Sequence, residues 1–220
     1  MSDSTRTWIA EVMGTFALVF IGGLSILAGQ GDLTVLSLGF GLALLVGLYA
    51  FGEVSGGHFN PAVSLGALLD KRIDTNTFIQ YVISQAGGAS IAMVAILGAS
   101  SQDAVAGTVT RPGAASVGGA FMLEILLTGL FVGVILKVTA SEANRNTAFL
   151  GISLTLVAIH LAAAPLTGAS VNPARSLGSA LVGGEFGDFW IYVTAPFIGA
   201  ALGWIVYKAI TVEIGERELT

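Results

Sequence analysis

Two short segments carry the residues whose types and spacing could do chemistry: Ser55-Gly56-Gly57-His58-Phe59-Asn60-Pro61-Ala62 and Gly168-Ala169-Ser170-Val171-Asn172-Pro173-Ala174-Arg175-Ser176. In each, Asn stands directly before Pro. That order is expected when Asn caps a helix N-terminus and Pro takes the first helical position, where its missing N–H costs nothing. An Asn so placed spends its side-chain oxygen on the cap and keeps amide N–H donors for another partner. Glu11, Glu124, His160 and Arg175 are further polar groups set in apolar sequence. No nucleophile, base and orienting group fall together, and the chain has no cysteine, which removes disulfides, thiolate metal sites and cysteine nucleophiles at once. No enzyme, metal or cofactor is expected. The available chemistry is hydrogen bonding and fixed charge rather than bond making.

The elements that must position these groups are membrane spans. The 220 residues are 54% hydrophobic and 10% charged, with a mean hydropathy of +0.85, and the 30 glycines suit helices that approach closely in lipid. Six stretches, 8–29, 34–52, 77–99, 118–138, 147–165 and 189–210, are long enough to cross a hydrocarbon core of about 30 Å. Six crossings return both termini to one side. Arg6, Lys71, Arg72, Lys137, Arg145, Lys208 and Arg217 fall on that side and only Arg111 on the other, so the positive-inside rule predicts cytoplasmic termini and a multi-pass protein of the cell membrane. The polar start, residues 1–7, is short, and the apolar run after it is too long and lacks the small-residue cleavage pattern of a leader, so the first span is read as retained. A net charge of −5 without a basic run argues against a nucleic-acid partner.

The two halves, about 8–100 and 118–211 of a single transmembrane domain, repeat. Glu11 and Glu124 are 113 residues apart, and Asn60 and Asn172 are 112 apart. With three spans per half, the second copy enters from the opposite side, an inverted repeat. Segments 60–70 and 172–183 are apolar but reach only about 15 Å at 1.5 Å per residue, half a bilayer. They predict two half-helices whose positive N-terminal ends meet near the midplane. The irregular loops before them, 52–59 and 167–171, are tolerable at that depth only if buried in protein or lining water. The fold class is therefore all-α: six transmembrane helices plus two half-helices in an inverted repeat. Glu11 and Glu124 could be intramembrane proton or ion sites, but one glutamate and one loop per half suggests that each carboxylate braces a loop by accepting its N–H bonds.

Rise per residue also gathers three side chains. Phe40 lies roughly 9 Å below the outer face, and His160 and Arg175 each roughly 10 Å below it, from independent starting points. His160 alone could be a packing histidine, whereas a charge at Arg175 must face a cavity or partner.

Over nearly the whole chain, the two Asn-Pro-Ala segments and their repeat resemble the aquaporin family of major intrinsic proteins, and its water-selective branch in particular. The resemblance implies that Phe40, His160, Ala169 and Arg175 form an aromatic/arginine selectivity filter. It also implies a homotetramer in the lipid bilayer with water as permeant. Phe40 would narrow the pore while His160 and Arg175 donate hydrogen bonds to water. Asn60 and Asn172 would donate at the pore centre, and His58 would line the cytoplasmic half or brace its loop. Family members that pass glycerol generally carry a small residue in place of His160 and Asp in place of Ser176, so both positions favour water. Ala169, where Cys or Thr is common, widens the filter, and Val193 after Tyr192 departs from the usual Trp. Passage of glycerol, ammonia or metalloid hydroxides stays open, as does a secondary transporter, although no pore carboxylate is placed to couple an ion.

Overall fold

Each apolar stretch of the chain becomes one helix of 20 to 29 residues, and each half adds a short one. The computed structural model describes residues 3–140, 142–144 and 146–217; Arg145 lies outside the described residues. In chain order the helices are α1 (Asp3–Gly29), α2 (Leu33–Ser55), α3 (Pro61–Leu69), α4 (Thr75–Ala99), α5 (Gln102–Ala106), α6 (Val117–Thr139), α7 (Ala148–Thr167), α8 (Pro173–Gly183) and α9 (Phe189–Arg217), with a 3-10 turn at Glu142–Asn144. Six of them, α1, α2, α4, α6, α7 and α9, are long and apolar enough to span a membrane.

Their outer faces are what only hydrocarbon could accept. On α2, Leu38, Leu42, Val46 and Tyr49 form a stripe at helical spacing, all exposed, while Ser37, Phe40, Gly41, Leu44 and Leu48 point inward. Residues three and four apart share a helix face, so the chain presents apolar stripes outward and its polar groups inward. Inside, small residues set the spacing. A Cβ on Gly203 would overlap the Gly129 carbonyl, so α6 and α9 meet backbone to backbone.

The half-helices run in opposite directions. The end of α3 lies among the ends of α6 and α9, where Arg72 donates to the Leu136 carbonyl at 2.8 Å and Trp204 to Asp70 at 3.3 Å. Lys208 reaches Asp70 at 3.7 Å. The end of α8 lies at the opposite face, where Gln102 on α5 donates to the Val182 carbonyl at 2.9 Å and Arg111 pairs with Glu185 at 2.9 Å.

Three details differ from expectation. Helix α2 runs on through Gly52 to Ser55, and α7 includes Thr167, so the irregular loops are only 56–59 and 168–171. Gly56 (φ 89°) and Gly168 (φ 80°) end these helices in the left-handed conformation, donating to Gly52 and Ala164, which glycine adopts without steric cost. Helix α5 was not legible because five residues carry no periodicity. Pro165 and Pro196 lie inside α7 and α9. Near the first, the loop before α6 returns to the end of α7, with Gly113 and Ala114 donating to the Leu166 and Pro165 carbonyls at 2.9 Å each.

Candidate functional site

At the centre, Asn60 and Asn172 both sit in extended backbone and cap their half-helices. Asn60 Oδ1 accepts from the Ala62 N–H at 2.9 Å, and Asn172 Oδ1 from Ala174 at 3.0 Å and Arg175 at 3.3 Å. Their amides cross between the halves. Asn60 Nδ2 donates to the Val171 carbonyl at 2.7 Å, and Asn172 Nδ2 to the Phe59 carbonyl at 2.9 Å. One N–H of each amide is thus committed to protein, which leaves one, not two, for anything in the pore. Phe59 and Val171, which supply the carbonyls, have φ of 50° and 44°. For a bulky or β-branched residue such a conformation costs on the order of 1–3 kcal/mol and persists only where the surroundings enforce it.

What enforces it is a pair of buried carboxylates. Glu11 accepts from the Ser55 hydroxyl (2.6 Å), the His58 N–H (3.0 Å), the Phe59 N–H (2.8 Å) and Gln85 Nε2 (2.7 Å). Glu124 accepts from the Thr167 hydroxyl (2.9 Å), the Ser170 N–H (2.9 Å) and the Val171 N–H (2.8 Å). The repeat extends to residues that sequence reasoning missed. Tyr81 donates to the Ser55 carbonyl and Tyr192 to the Thr167 carbonyl, each at 2.6 Å. Tyr192 on α9 therefore holds the end of α7 as Tyr81 on α4 holds the end of α2, each just before an irregular loop.

Toward the α5 face, α2, α7 and α8 bring three side chains together. The Phe40 and His160 rings stack with centroids 4.6 Å apart and planes at 15°. The Arg175 guanidinium carbon lies 5.3 Å from the Phe40 centroid. Phe40 packs where α1 has Gly22, since a Cβ there would overlap its ring. Arg175 is 4% exposed, and its Nη1 donates to the Thr108 carbonyl (2.8 Å), Thr110 Oγ1 (3.2 Å) and Ser179 Oγ (3.2 Å). Thr108 and Thr110 lie in an irregular loop with no sequence signal. His160 Nδ1 lies 2.9 Å from the Leu156 carbonyl. A carbonyl only accepts, so Nδ1 carries the proton and, in the neutral ring, Nε2 is an acceptor. This reverses the expectation that a neutral His160 donates into the pore. Ala169 is fully buried with φ 46°, its N–H donating to Thr167 Oγ1 at 2.9 Å, and it is not among the residues that line the cavity.

That cavity has a volume of about 390 Å³ and runs from Arg72, Ile73 and Phe149 past His58, Asn60 and Asn172 to Phe40, His160 and Arg175. It is therefore a passage from the basic-residue face through the centre to the aromatic stack. Its walls are mostly apolar, from Leu18, Leu44, Val63, Phe131 and Ile152 among others, with polar groups at a few points. His58 meets Ser64 Oγ through Nδ1 at 3.0 Å and packs edge-on against Tyr81.

Residues 1–207 match the family described as major intrinsic protein. A glycerol uptake facilitator protein-like 6 of Lactiplantibacillus plantarum is 43% identical over 206 residues, covering 90% of this chain and 94% of the relative. An aquaporin Z of Rhodopseudomonas palustris is 38% identical over 229 residues, covering 96% and 95%. Among solved structures, the aquaglyceroporin of Plasmodium falciparum superposes with a TM-score of 0.86 at 28% identity, covering 96% of this chain and 98% of that one.

Proposed function

The chain belongs to the major intrinsic protein family of membrane channels, and we propose that it is a passive water channel that excludes protons and ions. The observation carrying this reading is the three-residue constriction. Phe40 stacks on His160 with centroids 4.6 Å apart, and the Arg175 guanidinium faces the same ring at 5.3 Å. Two flat rings and a fixed cation at one level leave a narrow, polar-edged opening. Arg175 donates to a permeating water oxygen and the His160 Nε2 lone pair accepts a water proton, while Ala169, buried and off the cavity wall, adds no side chain to the filter. At the centre, Asn60 and Asn172 each offer the remaining amide N–H. The two half-helix N-termini and Arg175 present positive potential to any cation. Glu11 and Glu124 act as braces for the loops that aim these donors, rather than as ion sites. His58 lines the cytoplasmic half of the pore.

A second reading has support from relatives: a channel that also passes glycerol. One relative is named a glycerol uptake facilitator-like protein and one structural neighbour an aquaglyceroporin. Ammonia belongs to the same alternative. Against glycerol stand the bulk of His160 and the Ser176 hydroxyl, which is taken up by Ser170 and Thr110. Stopped-flow swelling of proteoliposomes in water and in glycerol gradients separates the two.

The chain acts as a homotetramer in the plasma membrane with cytoplasmic termini. Arg6, Lys71, Arg72, Lys137 and Lys208 near one face against Arg111 at the other support the orientation. Crosslinking in native membranes, with protease access from each side, tests both.

A further inference from the structure

We propose that Ser64 and Gln85 hold His58 in the tautomer protonated at Nε2, so that the cavity's two histidines present opposite hydrogen-bonding atoms, a donor at His58 and an acceptor at His160. Ser64 and Gln85 are positioning residues that touch the pore only through His58.

The assignment begins at Glu11. Glu11 is met by Ser55 Oγ, the His58 and Phe59 N–H groups and Gln85 Nε2, and with Glu11 as the accepting carboxylate it is the NH₂ side of the Gln85 amide that faces it. The second hydrogen of that NH₂ points to Ser64 Oγ at 2.9 Å. Ser64 Oγ thus accepts from Gln85 and must place its own proton elsewhere. Its other partner is His58 Nδ1 at 3.0 Å. A ring nitrogen that accepts bears a lone pair, and the proton of the neutral ring is then on Nε2. That nitrogen has no protein hydrogen bond and is not a buried unpaired atom, while His58 lines the cavity, so the N–H is open to its contents. His160 is fixed the other way by the Leu156 carbonyl. A solute moving between them meets a donor near the cytoplasmic mouth and an acceptor beside Phe40. Water satisfies both without rotating a protein side chain, a consequence that rests on the water-channel reading; the tautomers themselves do not.

The chain has two histidines in all, so ¹⁵N-histidine solid-state NMR of the protein in liposomes contains four ring nitrogens. Protonated and unprotonated ring nitrogens resonate far apart, and His160→Gly assigns the pairs. The expected result is one bonded proton on His58 Nε2 and one on His160 Nδ1. Ser64→Ala makes the His58 signals move or double while those of His160 stay, the latter reporting an intact fold, and Ser64→Thr, which keeps the hydroxyl, restores them. A proton on Nδ1 of His58 in the native protein overturns the proposal, as does a Ser64→Ala spectrum with His58 unchanged. If Ser64→Ala does not fold, the native spectrum alone decides. No solute gradient is involved, so the outcome is independent of whether glycerol passes.

Discussion

The rings of Phe40 and His160 stack 4.6 Å apart and 15° from parallel, tying α2 to α7 at the level where Arg175 emerges from α8. Removing either ring opens the constriction on one side and leaves the other ring without its flat partner. His160→Gly should therefore admit glycerol. A gain in glycerol flux of about tenfold or more over the native protein is expected, since filling or vacating a close-fitting pocket shifts discrimination by that order. Proteoliposome swelling in a glycerol gradient checks it; unchanged glycerol flux would mean that the ring does not set the width.

Arg175→Val removes the fixed cation and its bonds to Thr108, Thr110 and Ser179. Proton or cation leak should rise above that of empty liposomes, read with an entrapped pH dye under an imposed potential. A tight membrane with this variant would shift the exclusion role to the half-helix ends.

Glu124→Gln presents an NH₂ group to backbone N–H groups that had met a carboxylate oxygen. Each charge-assisted bond so lost is worth about 1.5–3 kcal/mol, and the left-handed Val171 loses its restraint. The variant should melt well below the native protein in detergent and carry less water. Glu11→Gln behaves alike, with Gln85 Nε2 as an additional orphan. A native melting curve for both would contradict bracing.

Gly22→Ala sets a methyl group against the Phe40 ring. Overpacking of this kind costs about 1–3 kcal/mol, and the cheapest relief is a shift of Phe40 toward the pore. Water permeability should fall while the protein stays folded, and Phe40→Leu in the same chain should recover flux by making room. Native water flux in Gly22→Ala would place the slack on the lipid side instead.

Much of this was legible in the sequence because the signals are local. Span length and hydropathy mark the six crossings, and Asn followed by Pro marks a capped helix start whatever surrounds it. Order and spacing of the repeat then bring Asn60 to Asn172 and Glu11 and Glu124 to one loop each. Depth counting brought Phe40, His160 and Arg175 to one level without any contact being known. Partners decided by approach across more than a hundred residues were not legible, such as the crossed bonds from Asn60 to Val171 and from Asn172 to Phe59. Tyr81, Tyr192 and Gln85 carry no local pattern that separates a brace from an ordinary residue of a span. The direction of the His160 hydrogen bond depends on one backbone carbonyl a turn away, and the continuation of α2 past Gly52 depends on packing against Phe149, which no local pattern shows.

The most direct measurement of the central claim is stopped-flow light scattering of proteoliposomes holding the native chain, with water and glycerol permeability taken on the same preparation. Water flux far above that of empty liposomes is expected, with glycerol flux indistinguishable from theirs. Glycerol flux equal to that of a glycerol facilitator reconstituted at the same density would contradict it.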